Sequence, residues 1–136
     1  MSKVVDTCVL LDILDGEPEF SLRSANALNR HAPEGLLIAP VTYVELAPAF
    51  LGDRERQDEF LSRLDIHLPF IFNRNDLYLA HAAWNRHILD KRKGIAVKRP
   101  IADVLIGALA MECGGLITRN PKDFEKLYPN LEIVVP

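Results

Sequence analysis

IADVLIGALAMECGGLIT, residues 101–118, sets an apolar helix, Ile101–Met111, ahead of a short apolar strand, Leu116–Thr118. A helix that is apolar almost all round is a buried one, so this segment is expected at the centre of the molecule. Working outward, Leu131–Val135 closes the chain as a last strand, and Gly94–Pro100 reads as a basic loop. Asn75–Lys91 is the longest helix candidate, with Leu77, Ala80, Trp84 and Ile88 on one face. Arg54–Asp65 is a further amphipathic helix, with Phe60, Leu61 and Leu64 inward. Leu36–Ala39 reads as a strand ended by Pro40, and Thr42 as the opening of a helix. Ser21–Arg30 has apolar residues at Leu22, Ala25 and Leu28, close to helical spacing. At the start, Lys3–Thr7 is a β-branched buried strand, followed by a short helix over Val9–Leu14 that stops near Gly16 and Pro18. Short apolar strands separated by helices describe an α/β domain with a mainly parallel central sheet flanked by helices.

Composition bounds the reading. With 136 residues, 49% of them hydrophobic and 26% charged, the chain suits one domain over 1–136 with a real core, which excludes intrinsic disorder. Only two cysteines are present, Cys8 and Cys113, with no CxxC and no Cys/His zinc spacing. That pattern points to a reducing, cytoplasmic compartment with both thiols buried. The opening MSKVVDTCVLLDIL is interrupted by Asp6 and Asp12, which does not fit an export signal. No stretch is long and apolar enough for a membrane span. The net charge of −3 gives no global attraction to nucleic acid. Locally the balance reverses: Arg86, Lys91, Arg92, Lys93, Lys98 and Arg99 are opposed only by Asp90 between them. Such a patch can hold a polyanion, or be a solvated helix end and loop.

Four acids stand where ordered structure is expected. Asp6 ends the first strand, as a turn-former or as a residue of a site beyond the strand's carboxyl end. Glu45 lies three residues after Thr42, the spacing of a capping box, although a first-turn carboxylate can also face a cleft. Asp103 stands in the first turn of the apolar helix, where the helix dipole favours a carboxylate. Asp123 in NPKDF is a helix-start residue, a solvated loop acid or a further site residue. Carboxylates brought within about 4 Å of one another repel by roughly 4 kcal/mol per pair at an effective dielectric near 20. They stay together only by taking up protons or by sharing a divalent cation. Oxygen donors without nearby His or Cys select magnesium or manganese over zinc. The four histidines, His31, His67, His81 and His87, read as surface or packing residues. A carboxylate-bound magnesium ion is by default a site for phosphodiester chemistry. No glycine-rich phosphate loop is present, so a nucleoside triphosphate is not indicated.

VVDTCVLLDIL, PVTYVELAPAF, KRPIADVLIGALAMECGGLITRNPKDF and YPNLEIVVP together resemble a PIN-domain protein, specifically a VapC-type toxin ribonuclease. The resemblance covers nearly the whole chain, and the third segment is its most specific part. It implies a three-layer PIN-like fold. It also implies a metal site of Asp6, Glu45 and Asp103 holding magnesium or manganese. Many relatives carry Asp where this chain has Asn120, so Asn120 or Asp123 would serve as the fourth site residue. Thr118 and Thr7 match hydroxyl residues beside the acids. The implied activity is endonucleolytic cleavage of structured RNA, tRNA or rRNA, by metal-activated water. The implied partners are a small antitoxin protein covering the active cleft and a second copy in a homodimer. The basic residues from Arg86 to Arg99 would then hold the RNA backbone, with Arg99 closest to the scissile phosphate.

Other readings compete. A catalytically inactive PIN module that binds RNA or a protein partner is favoured only by Asn120. A phosphoacceptor receiver domain needs paired acids after the first strand, and a dehalogenase-type phosphatase needs D-x-D there. Asp6-Thr7-Cys8 supplies neither.

Overall fold

The computed structural model describes residues 2–68, 73–92 and 101–136, without the side chains of 90–92. Five strands form one all-parallel sheet: β1 (Lys3–Val5), β2 (Leu36–Leu37), β3 (Ile66–His67), β4 (Leu116–Ile117) and β5 (Ile133–Val134). Their order is β3-β2-β1-β4-β5. Val4 pairs with Leu37 on one side and Leu116 on the other, so β1 is central. The chain runs outward from β1 to β3, then crosses back to place β4 on the opposite side of β1. That reversal makes a topological switch point between β1 and β4, and ligand crevices of open α/β sheets lie beyond the carboxyl ends of the strands there.

The helices among the described residues are α1 (Thr7–Asp15), α2 (Ser21–His31), α3 (Pro40–Glu45), α4 (Arg54–Arg63), α5 (Arg74–Arg92), α6 (Ile101–Glu112) and α7 (Lys122–Glu125). Alternating residues of the strands feed two cores, which defines three layers. Val5, Leu36, Ile66 and Ile117 pack with Val9 and Leu10 of α1, Leu28 of α2 and Leu61 of α4. Val4 and Leu116 face the other way, onto Ile106, Leu109 and Ala110 of α6 and Phe124 of α7. Each fully buried aliphatic or aromatic side chain contributes about 1.5–3 kcal/mol. No helix among the described residues is long and apolar enough to cross a membrane.

Among the described residues the expected elements hold in type and shift at the boundaries; the expected basic loop Gly94–Pro100 lies outside them. α6 is buried through Val104 and Ile106–Ala110, as its apolar sequence required. Gly107 lets the Tyr128 ring lie directly on the α6 backbone, where a Cβ would collide with it. The Tyr128 hydroxyl donates to the Val104 carbonyl at 2.5 Å. α1 starts at Thr7, two residues earlier than expected, and stops at Gly16, whose left-handed backbone (φ 61°) caps the Asp12 and Ile13 carbonyls. α4 ends at Arg63 rather than Asp65, which takes a positive φ. β3 was not anticipated as an element, and of the readings open for Asp123 the helix start is the one the short helix α7 realises.

Two helix faces are corrected. Leu22 is exposed, because the buried stripe of α2 runs through Ser24, Ala27 and Leu28. Leu77 is also exposed, because α5 meets α6 through the small residues Ala80 and Ala83. The expected capping box does not form. Pro40 takes the first position of α3 after Ala39, so Thr42 is its third residue and Glu45 its last. Both cysteines are half-buried rather than buried, and both are free thiols.

Candidate active site

Beyond the carboxyl ends of β1 and β4 the parallel register sets Asp6 beside Thr118. Val5 pairs with Ile117, and the Asp6 N–H donates to the Ile117 carbonyl at 2.9 Å. The Asp6 backbone turns the strand into α1 as its N-cap, yet its carboxylate does not cap that helix. It turns to the sheet instead. The Thr118 hydroxyl donates to Oδ2 at 2.7 Å, and the Cys8 thiol donates to the same oxygen at 3.3 Å. Oδ1 takes neither bond. Thr118 is fully buried, and its hydroxyl also accepts the Asn120 N–H at 3.0 Å. One proton and one lone pair are thereby committed, which fixes the rotor toward Asp6.

Asp6 is only 5% exposed. Burial pushes its carboxyl above the ordinary Asp range, and the Asp123 charge pushes the same way, against the hydrogen bonds from Thr118 and Cys8. The Cys8 thiol is pushed up to about 12, by burial first and then by the Asp6 charge. Among the described residues no basic side chain forms an ion pair with Asp6. Asp123 itself is exposed on α7, whose first turn closes by an Asp123 N–H bond to the Asn120 carbonyl at 3.1 Å. The Asn120 side chain is exposed.

Glu45 reaches this region from the opposite side. The Thr7 hydroxyl donates to Glu45 Oε1 at 2.7 Å and lies 3.0 Å from the Thr42 hydroxyl. Thr7 directly follows Asp6, so the bond ties the end of α3 to the start of α1 next to the buried carboxylate. Asp103 stands half-buried in the first turn of α6, which packs on β1 and α3. Asp6, Thr118 and Asp123 thus meet at one mouth, and Glu45 is tethered at the neighbouring residue. Among the described residues, no three Asp, Glu, His or Cys side chains stand close enough together to hold a metal ion as they are placed. The donor set is carboxylate and hydroxyl oxygen, the chemistry of a hard divalent cation. A buried carboxylate flanked by another acid and by neutral donors suits that charge.

The patch between Arg86 and Arg99 falls partly outside the described residues: Lys93, Lys98 and Arg99 do so wholly, and the side chains of Lys91 and Arg92 do so too. Arg86 is exposed, and its Nη2 donates to the Leu127 carbonyl at 2.8 Å, tying α5 to the segment after α7. The histidines are peripheral: His31 bonds Glu34, His87 stacks on Trp84, and His67 and His81 are exposed.

Three features at the mouth escaped the sequence reading. Cys8 was read only as a buried thiol, although its place two residues after Asp6 puts it in the same turn. Thr42 was read as a cap, although its i,i+3 relation to Glu45 sets both on one side of a helix. Arg119 had no assigned role. Its guanidinium holds the buried Asp12 through two bonds, Nε to Oδ2 at 2.7 Å and Nη2 to Oδ1 at 3.1 Å, and lies 4.4 Å over the Phe20 ring. That clamp anchors the β4–α7 loop to α1.

The family model described as PIN domain matches residues 3–128. Among solved structures the chain is similar to VapBC2 from Rickettsia felis bound to a DNA fragment from its promoter. That match has TM-score 0.72 and 22% identity, and covers 100% of this chain and 99% of that one. It is similar to VapBC-1 from nontypeable Haemophilus influenzae, with TM-score 0.70, 17% identity and coverage of 99% and 98%. A toxin–antitoxin complex from Klebsiella pneumoniae matches with TM-score 0.64, 20% identity and coverage of 97% and 95%. At these identities the likeness is one of fold. No curated protein matches the chain.

Proposed function

The chain belongs to the PIN-domain family, and from that membership we propose that it is a metal-dependent endoribonuclease, the toxin of a toxin–antitoxin pair. The observation that carries the reading is Asp6: a buried carboxylate beside a second acid, oriented by Thr118 and Cys8 and paired with no cation among the described residues. Buried, incompletely neutralised acids at a switch point mark functional sites. Asp6, Glu45 and Asp103 would hold the magnesium or manganese ion. When bound, that ion supplies Lewis-acid charge and water activation for hydrolysis of a phosphodiester.

The chain's own residues have separable tasks. Thr118 and Cys8 hold Asp6 Oδ2 and so present Oδ1. Thr7 holds Glu45 from the other side. Asn120, through its amide oxygen, or Asp123, through its carboxylate, orients the attacking water. Arg86, Lys91, Arg92, Lys93, Lys98 and Arg99 hold the backbone of a structured RNA such as tRNA or rRNA. The similarity to toxin–antitoxin complexes supports a small antitoxin as the partner. In this reading the antitoxin covers the cleft, and single-domain chains act as a homodimer in the cytoplasm.

The test is cleavage of total RNA by the purified, antitoxin-free protein in magnesium, with and without chelator, beside Asp103→Asn. Discrete products that vanish with chelator and in the variant are expected. Equal cleavage by the variant assigns the activity to a contaminant. RNA binding without cleavage by either protein overturns the reading in favour of an inactive RNA-binding module, the role that the uncharged Asn120 would suit.

A further inference from the structure

Arg119 is a cation set at the rim of an acidic mouth, between Thr118, which holds Asp6, and Asn120. Its backbone N–H is directed at the Cys8 thiol, and that thiol stands 3.3 Å from Asp6 Oδ2. Asp6 is therefore within an arginine's length of the Arg119 backbone. A guanidinium carries five donors in a fixed fork and pairs readily with a carboxylate. Turned toward the mouth, it would give Asp6 the counter-charge that this acid lacks among the described residues. It would then compete with any divalent cation for the same oxygens.

The side chain points the other way. Its Nε and Nη2 close on the two oxygens of Asp12 at 2.7 and 3.1 Å, and the guanidinium lies 4.4 Å over the Phe20 ring. Asp12 is 5% exposed and stands in α1 six residues after Asp6. At the helical rise, those six residues carry it about 9 Å along the axis from the mouth. The β4–α7 loop has further anchors. The Thr118 N–H bonds the Val134 carbonyl at 3.0 Å, the Asp6 N–H bonds the Ile117 carbonyl at 2.9 Å, and Phe124 of α7 is fully buried. We propose that Asp12 is a positioning residue that acts through Arg119: it holds the guanidinium off Asp6 and so keeps the mouth open to a divalent cation. The inference rests on the proposed role of Asp6 as a metal ligand.

The test is calorimetric binding of manganese to the full-length protein, with thermal unfolding in chelator alongside. Wild type is compared with Asp12→Asn, Arg119→Gln and the double variant. Asp12→Asn frees the guanidinium and is expected to weaken binding at least about tenfold, the scale on which residues outside a metal's ligand set act. Arg119→Gln removes the competitor and is expected to bind within about twofold of wild type, since no ligand is touched. The double variant is also expected within about twofold of wild type, the second substitution rescuing the first. A clamp that served only to place the loop would leave Arg119→Gln and the double variant as weak as Asp12→Asn, and that result overturns the proposal. So does an additive pattern, in which Arg119→Gln tightens binding by as much as Asp12→Asn weakens it, because it reports only the summed field of two charges. Manganese binding by Asp12→Asn equal to wild type overturns it too. Should Asp12→Asn not fold, Asp12→Leu, alone and with Arg119→Gln, is read by the same criteria. Asp6→Asn separates the two levels: wild-type manganese affinity in that variant removes Asp6 from the ligand set and takes the inference with it. Weakened Asp6→Asn with intact Asp12→Asn refutes only the role of Asp12.

Discussion

β1 carries a buried charge at each end, and the fold treats the two in opposite ways. Lys3, its first residue, is 6% exposed, and Asp6, just past its last, is 5% exposed. The Lys3 ammonium is closed off by protein: it donates to the Gly114 carbonyl at 2.5 Å and pairs with Glu132 at 3.3 Å. Asp6 is held by neutral donors, Thr118 and Cys8 among them, with no ion pair among the described residues, and its acidic neighbour Asp123 repels it. Burial of an ion without a counter-charge is costly. The amino end of the strand meets that cost by self-completion, whereas the carboxyl end meets it with no cation among the described residues, as the proposed metal site requires. The difference is the physical basis of the proposed site, more than the size of any cleft.

Four changes break or sharpen this contrast. The largest effect is expected from Asp6→Asn. RNA cleavage should fall at least about a hundredfold, beyond the loss usual for an outer partner. The unfolding midpoint in chelator should stay level or rise, because an amide replaces an uncompensated carboxylate. Adding magnesium sharpens the point. At a concentration of about a hundred times its dissociation constant it should stabilise the wild type by about 2.7 kcal/mol and leave Asp6→Asn unmoved, read by thermal unfolding. Arg119→Ala tests a carboxylate near the same mouth that does have its counter-ion. It strands the buried Asp12 and should cost about 2–3 kcal/mol in urea unfolding. That is below the loss for a wholly buried pair, because Arg119 is 32% exposed. Lys3→Met should cost about 1–2 kcal/mol of stability, since Glu132 is free to be solvated, and leave cleavage within about twofold. A large loss of cleavage in Lys3→Met, with stability intact, would abolish the distinction between the two ends.

How much of this was legible beforehand follows from what leaves a local signal. α6 and its neighbouring strand were readable because eleven nearly uninterrupted apolar-helix positions and a short apolar run have few other uses. The place of Asp6 at the carboxyl end of β1 was readable because the β-branched run before it marks a buried strand and the acid marks its end. α3 was misplaced because Pro40 can end a strand or open a helix, and Thr42 with Glu45 matched a capping spacing that Pro40 had already displaced. β3 has two residues, too few for a period to appear. The Arg119–Asp12 clamp joins positions 107 apart in the chain, and no local pattern encodes such a pairing.

The Asp6–Thr118 bond spans 112 positions. Parallel pairings of such separation form late and slowly. During synthesis β1 can find β2 once some forty residues have emerged, but β4 must wait for about eighty more. The mouth that Asp6 and Thr118 make therefore exists only once β4 has joined β1. Any ligand that needs both residues has nothing to bind before that late pairing, so folding of the sheet and assembly of the mouth are one event.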